Sequence, residues 1–143
     1  MKFKIVKNVL IVRMDNNENL FKNLEKIIKE KRLKSGIIVS VTGMLKDIEL
    51  RYLTYPREIG KYKSKNFKGP FEIVSLAGNF TFLKDKPIIH LHGVFANEKN
   101  KCVGGHLGKA KINATLEMFI ILLNKKLEKK HDKKTGLNIL DLN

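Results

Sequence analysis

One cysteine, Cys102, is all that the 143 residues contain. That count excludes an internal disulfide framework and fits a reducing cytoplasm. No apolar run approaches the roughly 18 residues of a membrane span. The longest candidate, Met118 to Leu123, stops at Asn124. The N-terminus, MKFKIVKNVLIVRMDNN, is broken by lysines and has no small-residue cleavage site, so it reads as a strand pair and not a secretory signal. A phosphate-cradling glycine loop, a nucleophile elbow and a paired-carboxylate motif are all missing. Ser75 and Thr115 offer hydroxyls with no local base. Without repeats or linkers, one domain over residues 1–143 is expected, large enough to bury a core.

Acidic residues are scarce: 14 against 29 basic ones leave a formal charge of +15. Such an excess attracts nucleic acid, anionic membranes or other polyanions. Arginine is scarce too, with only Arg13, Arg32, Arg51 and Arg57. Bidentate reading of guanine favours arginine, whereas lysine gives a backbone-directed attraction that weakens steeply with salt. Lysine with abundant Ile and Asn would also follow from an AT-rich coding sequence. Charge therefore establishes a field and leaves the partner open.

The patterning that remains is mostly β. Lys2 to Val12 reads as one strand or a tight pair turning at Lys7-Asn8. Asp15 three residues before Glu18 has capping-box spacing, and Leu20, Phe21, Leu24, Ile27 and Ile28 then fall on one helical face. Glu18 with Lys22 and Glu25 with Lys29 are i,i+4 pairs, and the helix should end near Lys34 with Gly36 as a left-handed cap. Ile37–Val41, closed by Thr42-Gly43, and Ile48–Thr54 read as two short strands. Pro56–Gly69 reads as a basic loop whose aromatics Tyr55, Tyr62 and Phe67 either anchor it or stack on single-stranded nucleic acid. Phe71–Phe82 reads as a strand, straight or bent at Ala77-Gly78-Asn79, while Ala110–Leu123 is ambiguous between strand and helix. The tail from Lys125 reads as a short helix or a loosely tied extension.

Chemistry concentrates in Ile88–Leu107, IIHLHGVFANEKNKCVGGHL, which holds three of the four histidines. His90 and His92 would project from one face of a strand. A reversal at Glu98–Asn100 would set His106 directly opposite His92, and a shift of one residue would turn it to the other face. Gly104-Gly105 could re-aim His106 through a bulge. Three converging imidazoles suit zinc and leave a fourth position open for water, substrate or a small anion. The alternative is three half-buried histidines bonded to their neighbours. His131 in the lysine-rich tail reads as solvated, and Cys102 as a small apolar side chain or a soft ligand.

The succession FEIVSLAGNF, HLHGVFANEKNKCVGGHL and INATLEMFI, preceded by VRMDNNENL and KSGIIVSVTGML, resembles the PPC domain, conserved in plants and prokaryotes. The likeness runs over about residues 5–123 and leaves 124–143 as a basic C-terminal extension. It implies an α+β fold, a largely antiparallel (mixed) sheet flanked by helices, assembled as a homotrimer. It implies zinc, one per subunit, on His90, His92 and His106. Plant members carry AT-hooks that bind DNA; no Arg-Gly-Arg-Pro hook occurs in this chain. Asn17 stands where the family's glycine is expected, and a turn accepts asparagine at positive φ.

The expected protein is a cytoplasmic trimeric zinc-binding module with a DNA-binding role through its lysine-rich surface. The alternative is a metal-dependent enzyme acting on a small molecule at an open three-histidine site. Glu72 and Glu117 are then the carboxylates to consider as a general base.

Overall fold

Alternating and β-branched sequence dominates the chain, and the backbone follows it. The computed structural model describes residues 1–143. Its elements run β1 (Lys2–Val6), β2 (Val9–Asp15), α1 (Leu20–Glu30), β3 (Ser35–Leu53), β4 (Tyr62–Phe67), β5 (Phe71–Leu83), β6 (Lys86–Ala96), β7 (Cys102–Leu123), β8 (Lys129–Asp132) and β9 (Leu137–Leu140). Seven strands form one sheet in the order β1-β2-β7-β6-β5-β3-β4, and β3 pairs with β7 as well. That second pairing closes β7, β6, β5 and β3 into a ring, which leaves those strands no free edge along the paired stretches. The long strands β3 and β7 bend to achieve it, with register shifts at Ile38/Ser40, Gly43/Met44 and Lys46/Glu49. Each shift adds local twist, so one strand can serve two neighbours in turn.

This architecture corrects the helix-flanked α+β expectation. Every strand pair is antiparallel, and a single helix of 11 residues serves the whole chain. Only the stretch around Leu20–Ile28 has apolar residues at helical spacing together with a cap. In the ambiguous Ala110–Leu123, burial alternates through Ala110, Ile112, Leu116, Met118 and Ile120, and the segment is strand throughout. The tail is neither helix nor loose extension: β8 and β9 form a hairpin. Residues 37–41 and 48–53 belong to one continuous β3, because Gly43 bends the strand without ending it. Half of the expected loop at 56–69 is β4, paired to the end of β3, and Phe67 meets Phe71 edge-on at 6.2 Å.

The helix begins one turn later than its capping-box spacing predicts. Asn19 is the N-cap, its side chain accepting from Lys22 N at 3.0 Å. Glu18 instead accepts from Asp15 N at 2.7 Å and pairs with the Met1 ammonium at 2.6 Å, which draws it away from Lys22. Leu20, Leu24, Ile27 and Ile28 are buried, each contributing about 1.5–3 kcal/mol of apolar transfer. Arg32, at φ 50°, supplies the left-handed residue after Glu30. Gly36 is not the cap; it lies in β3, where its lack of a side chain admits the Phe80 ring. Asn17 does adopt the positive φ, 70°, expected for a turn residue replacing glycine.

The helix packs on the inner face of the sheet, where Leu10, Val12, Ile38, Phe80, Leu91 and Phe95 join its stripe in one core. The outer face of the same strands carries two kinds of residue. Toward β2, β3 and β7 it is apolar, with Ile37, Val39 and Phe119 exposed. Toward the β6–β7 hairpin it carries the histidines.

Candidate metal centre

Strand alternation aims the histidines. Leu91, between His90 and His92, is fully buried, so both imidazoles project outward. The turn then decides where His106 goes. Asn97 Oδ1 accepts from the backbone N–H groups of Lys99 and Lys101, both at 3.0 Å, and Asn97 N donates to the Lys101 carbonyl at 3.0 Å. Asn100 completes the reversal at φ 56°. This turn pairs Ala96 with Cys102 and, four pairs on, His92 with His106. Of the two registers the sequence allowed, it is the one that brings the third imidazole to the outer face.

The three rings meet. Their centroids lie 4.9, 5.0 and 5.2 Å apart, and one nitrogen from each falls within 4.8 Å of the others. His90 Nε2 and His92 Nε2 are 3.0 Å apart. Two imidazole nitrogens bound to one tetrahedral zinc at its usual bond length would be about 3.3 Å apart, so the cluster fits such an ion. Its electrostatics fit as well. Burial, reinforced by the neighbouring His106, Lys129 and His92, lowers the His90 imidazole to about 4. Burial also lowers His106, helped by His92, Arg51 and Lys129. Both rings are held neutral, the form that ligates metal. Asn79 stands opposite His90 on β5, and its buried Oδ1 has no donor. An acceptor so placed is what an orienting contact behind a ligand histidine requires.

Sequence reasoning missed the cationic surroundings. Arg51 is the direct cross-strand partner of His106, and its Nε donates to Glu49 Oε1 at 2.6 Å. Lys109 holds the other Glu49 oxygen at 2.9 Å. Gly108 makes room for this group, since a Cβ there would overlap Arg51 Nε. The alternation of IELRYLT exposed Arg51, but only the β3–β7 pairing places it beside a histidine. Tyr62, read as a loop aromatic, lies with its ring 5.8 Å from that of His106. Lys129 on β8 comes over the site from the tail, and burial lowers its ammonium. Nothing in KKLEKKHDKK distinguished that lysine from its neighbours. Between His90, His106 and the β8–β9 hairpin lies a half-open cleft of about 560 Å³.

The other candidates lie elsewhere. Glu72 pairs with Ala96, four register steps from the Ala77–His92 pair, or roughly 13 Å along β6. Glu117 pairs with Arg13 and Thr42. Neither belongs to the histidine cluster. Cys102 is exposed at the start of β7, outside the cluster, and His131 is exposed on β8 opposite Asn138. Thr115 donates to the Met14 carbonyl at 3.3 Å, and Ser75 is exposed at a bulge in β5.

The sequence profile of the Plants and Prokaryotes Conserved (PCC) domain, the PPC domain under its other acronym, matches residues 1–124. No curated protein matches the chain. Solved structures do. A protein from Bacteroides thetaiotaomicron, provisionally described as DNA-binding, is 27% identical with a TM-score of 0.91, over 98% of this chain and 96% of its own. A metal-containing protein from Archaeoglobus fulgidus is 27% identical with a TM-score of 0.83, over 97% and 96%. A plant- and prokaryote-conserved protein from Pyrococcus horikoshii is 26% identical with a TM-score of 0.83, over 98% and 94%. At such coverage most of the tail beyond residue 124 has a counterpart in these structures, although the family profile stops before it.

Proposed function

From the premise that this chain belongs to the Plants and Prokaryotes Conserved domain family, we propose that it is a zinc-binding module, one ion per subunit, working as a homotrimer with a DNA-binding role. The convergence of His90, His92 and His106 carries this reading. These residues would be the ligands, and the metal-containing Archaeoglobus fulgidus relative supports a metal there. The whole chain forms one domain, with the β8–β9 hairpin fastened onto the ring. No helix is long and apolar enough to cross a membrane, and the lone cysteine agrees with a cytoplasmic setting.

Trimer assembly is supported by the outer face of the sheet. Ile37, Val39 and Phe119 are 42%, 49% and 39% exposed, and the paired strands β3 and β7 bring them together. A contiguous apolar patch of this kind marks an interaction surface. DNA binding rests on the +15 charge and on the provisional description of the Bacteroides thetaiotaomicron relative. Three copies would make the basic surface polyvalent, which strengthens weak phosphate contacts.

Metal analysis of protein purified without a nickel column tests the first element, with about one zinc per chain expected. A His106→Ala variant that retained full metal content would overturn the ligand assignment. Light scattering should give three times the chain mass of 16.4 kDa. Duplex binding should appear at about 50 mM salt and weaken steeply as salt rises; no binding there, or no salt dependence, removes the DNA role.

A second reading, a metal-dependent enzyme acting on a small molecule, is favoured by the cleft beside His90 and His106. Bound zinc would supply a Lewis acid and lower the pKa of its water. The chain's own residues would bind and orient the substrate. Any general base would have to be a group other than Glu72 or Glu117, given where those two stand.

A further inference from the structure

The cleft over the histidines has a composition of its own. One wall is the triad, through His90 and His106; the other is the β8–β9 hairpin. Ile88, Leu137, Ile139 and Leu140 supply apolar surface, Lys129 the one charged side chain, and no carboxylate lines it. The acids of the tail are engaged elsewhere: Glu128 with Lys126 at 2.8 Å, Asp141 with Lys130 at 2.8 Å, and Asp132 with the Thr135 hydroxyl at 2.6 Å.

Lys129 is therefore a half-buried cation without a counter-ion. Its Nζ donates to the Asn138 carbonyl at 3.2 Å, and an ammonium has three donors, so two remain free. A partly covered cation with no counter-ion attracts an anion more strongly than one in open water, because the cleft screens it less. The lysine is also held in place. Leu127 exchanges bonds with the ring, donating to Ser35 Oγ at 2.9 Å and accepting from Phe82 N at 2.9 Å. At the far end of the hairpin the Thr135 carbonyl accepts from Gly60 N at 3.0 Å. Strapped at both ends, the hairpin keeps Lys129 facing the histidines.

We propose that this cleft binds a small carboxylate with an apolar body, its carboxylate held by Lys129 on the side of the histidines that would hold the metal, its chain along the apolar residues of β9 and Ile88 that line the cleft. This rests on the metal reading above, because half of the carboxylate recognition falls to the ion. Lys129 supplies the other half. The apolar wall separates this ligand from inorganic oxyanions, which bury nothing against it.

The test uses the full chain loaded with cobalt(II), whose visible bands report its ligands. Hexanoate, acetate and inorganic phosphate are titrated in parallel. Hexanoate should shift the bands at a concentration about tenfold or more below that of acetate, since four further carbons reach the apolar wall. Lys129→Met should weaken hexanoate about tenfold or more with cobalt content unchanged, and Lys129→Arg should restore most of the loss. A cobalt-loaded protein whose bands respond to none of the three overturns the proposal. So does equal response to hexanoate and acetate, a preference for phosphate, or an unaltered Lys129→Met. Failure to take up cobalt overturns the metal reading and this proposal with it, whereas loading without a carboxylate response overturns this proposal alone.

Discussion

The two faces of β6 carry opposite kinds of residue. Leu91 and Phe95 point inward and are fully buried, while His90 and His92, on the same strand, point outward to a site that carries no core packing. The inner residues are exchangeable in kind, since any well-packed apolar set of the right volume would fill the space. The outer ones are specific in kind and need little packing. What joins the faces is register. By locking β6 against β5 and β7, the core fixes which face each of the three imidazoles takes and brings them together. Substitutions on the two faces should therefore separate fold from chemistry.

The largest effect is expected inside. Phe95→Ala should cost about 3–5 kcal/mol, measured by denaturant unfolding, because its cavity lies in a closed ring that cannot collapse freely. Next comes Gly78→Ala, which acts on both faces. Gly78 pairs with Leu91, and a Cβ there would overlap the His90 carbonyl oxygen. Backbone cannot step aside as a side chain can, so a loss of about 1–3 kcal/mol is expected. Metal affinity should fall with it, as β6 moves at His90. A Gly78→Ala protein with native affinity would show that register and site are uncoupled.

How much of this was legible in the sequence follows the same division. Period-two alternation gave the histidine strand and its outward face directly, because that signal is local. Helical spacing gave α1 and its buried stripe. The closed ring was not legible: β3 looked like two strands, since Gly43 and the bulges that allow one strand to serve two partners read locally as stops. The tail hairpin was missed because KKLEKKHDKK has no clean period, and its strands are ordered by bonds to Ser35, Gly60 and Phe82, far away in the chain. Arg51 and Lys129 were missed as neighbours of the site for the same reason. The histidine triad lay between these cases, with its members visible and its register undecided until the Asn97 turn set it.

A smaller, pH-dependent effect tests the flank of the site. Lys109, and after it Arg51, hold the buried Glu49 carboxyl below its ordinary value despite the opposing effect of burial. A depressed carboxylate stabilises the fold above its ordinary pKa of 4.5, and that contribution is lost as pH falls through the folded value. Glu49→Gln should therefore be less stable than the parent at pH 7, and the gap should close on acidification below about pH 4.5. A gap unchanged between pH 7 and pH 3, followed by urea unfolding, would remove Glu49 as a charged support beneath Arg51 and His106.

The smallest effect on stability should come from His90→Ala, one residue away from a core position. The ring is only partly covered, and His92, its partner at 3.0 Å, is exposed and can turn to water. In metal-free protein the change should be under about 1 kcal/mol, against about 2–5 kcal/mol for Leu91→Ala next to it. Metal content should move oppositely. His90→Ala loses one of three ligands and should no longer retain stoichiometric metal through gel filtration, whereas Leu91→Ala, while it stays folded, should retain it. Added metal should then raise the melting temperature of Leu91→Ala but not of His90→Ala, since only a ligand that binds the native state stabilises it. If metal raised both melting temperatures equally, the ion would be held by something other than these imidazoles. The inward and outward faces of β6 would then differ in burial alone.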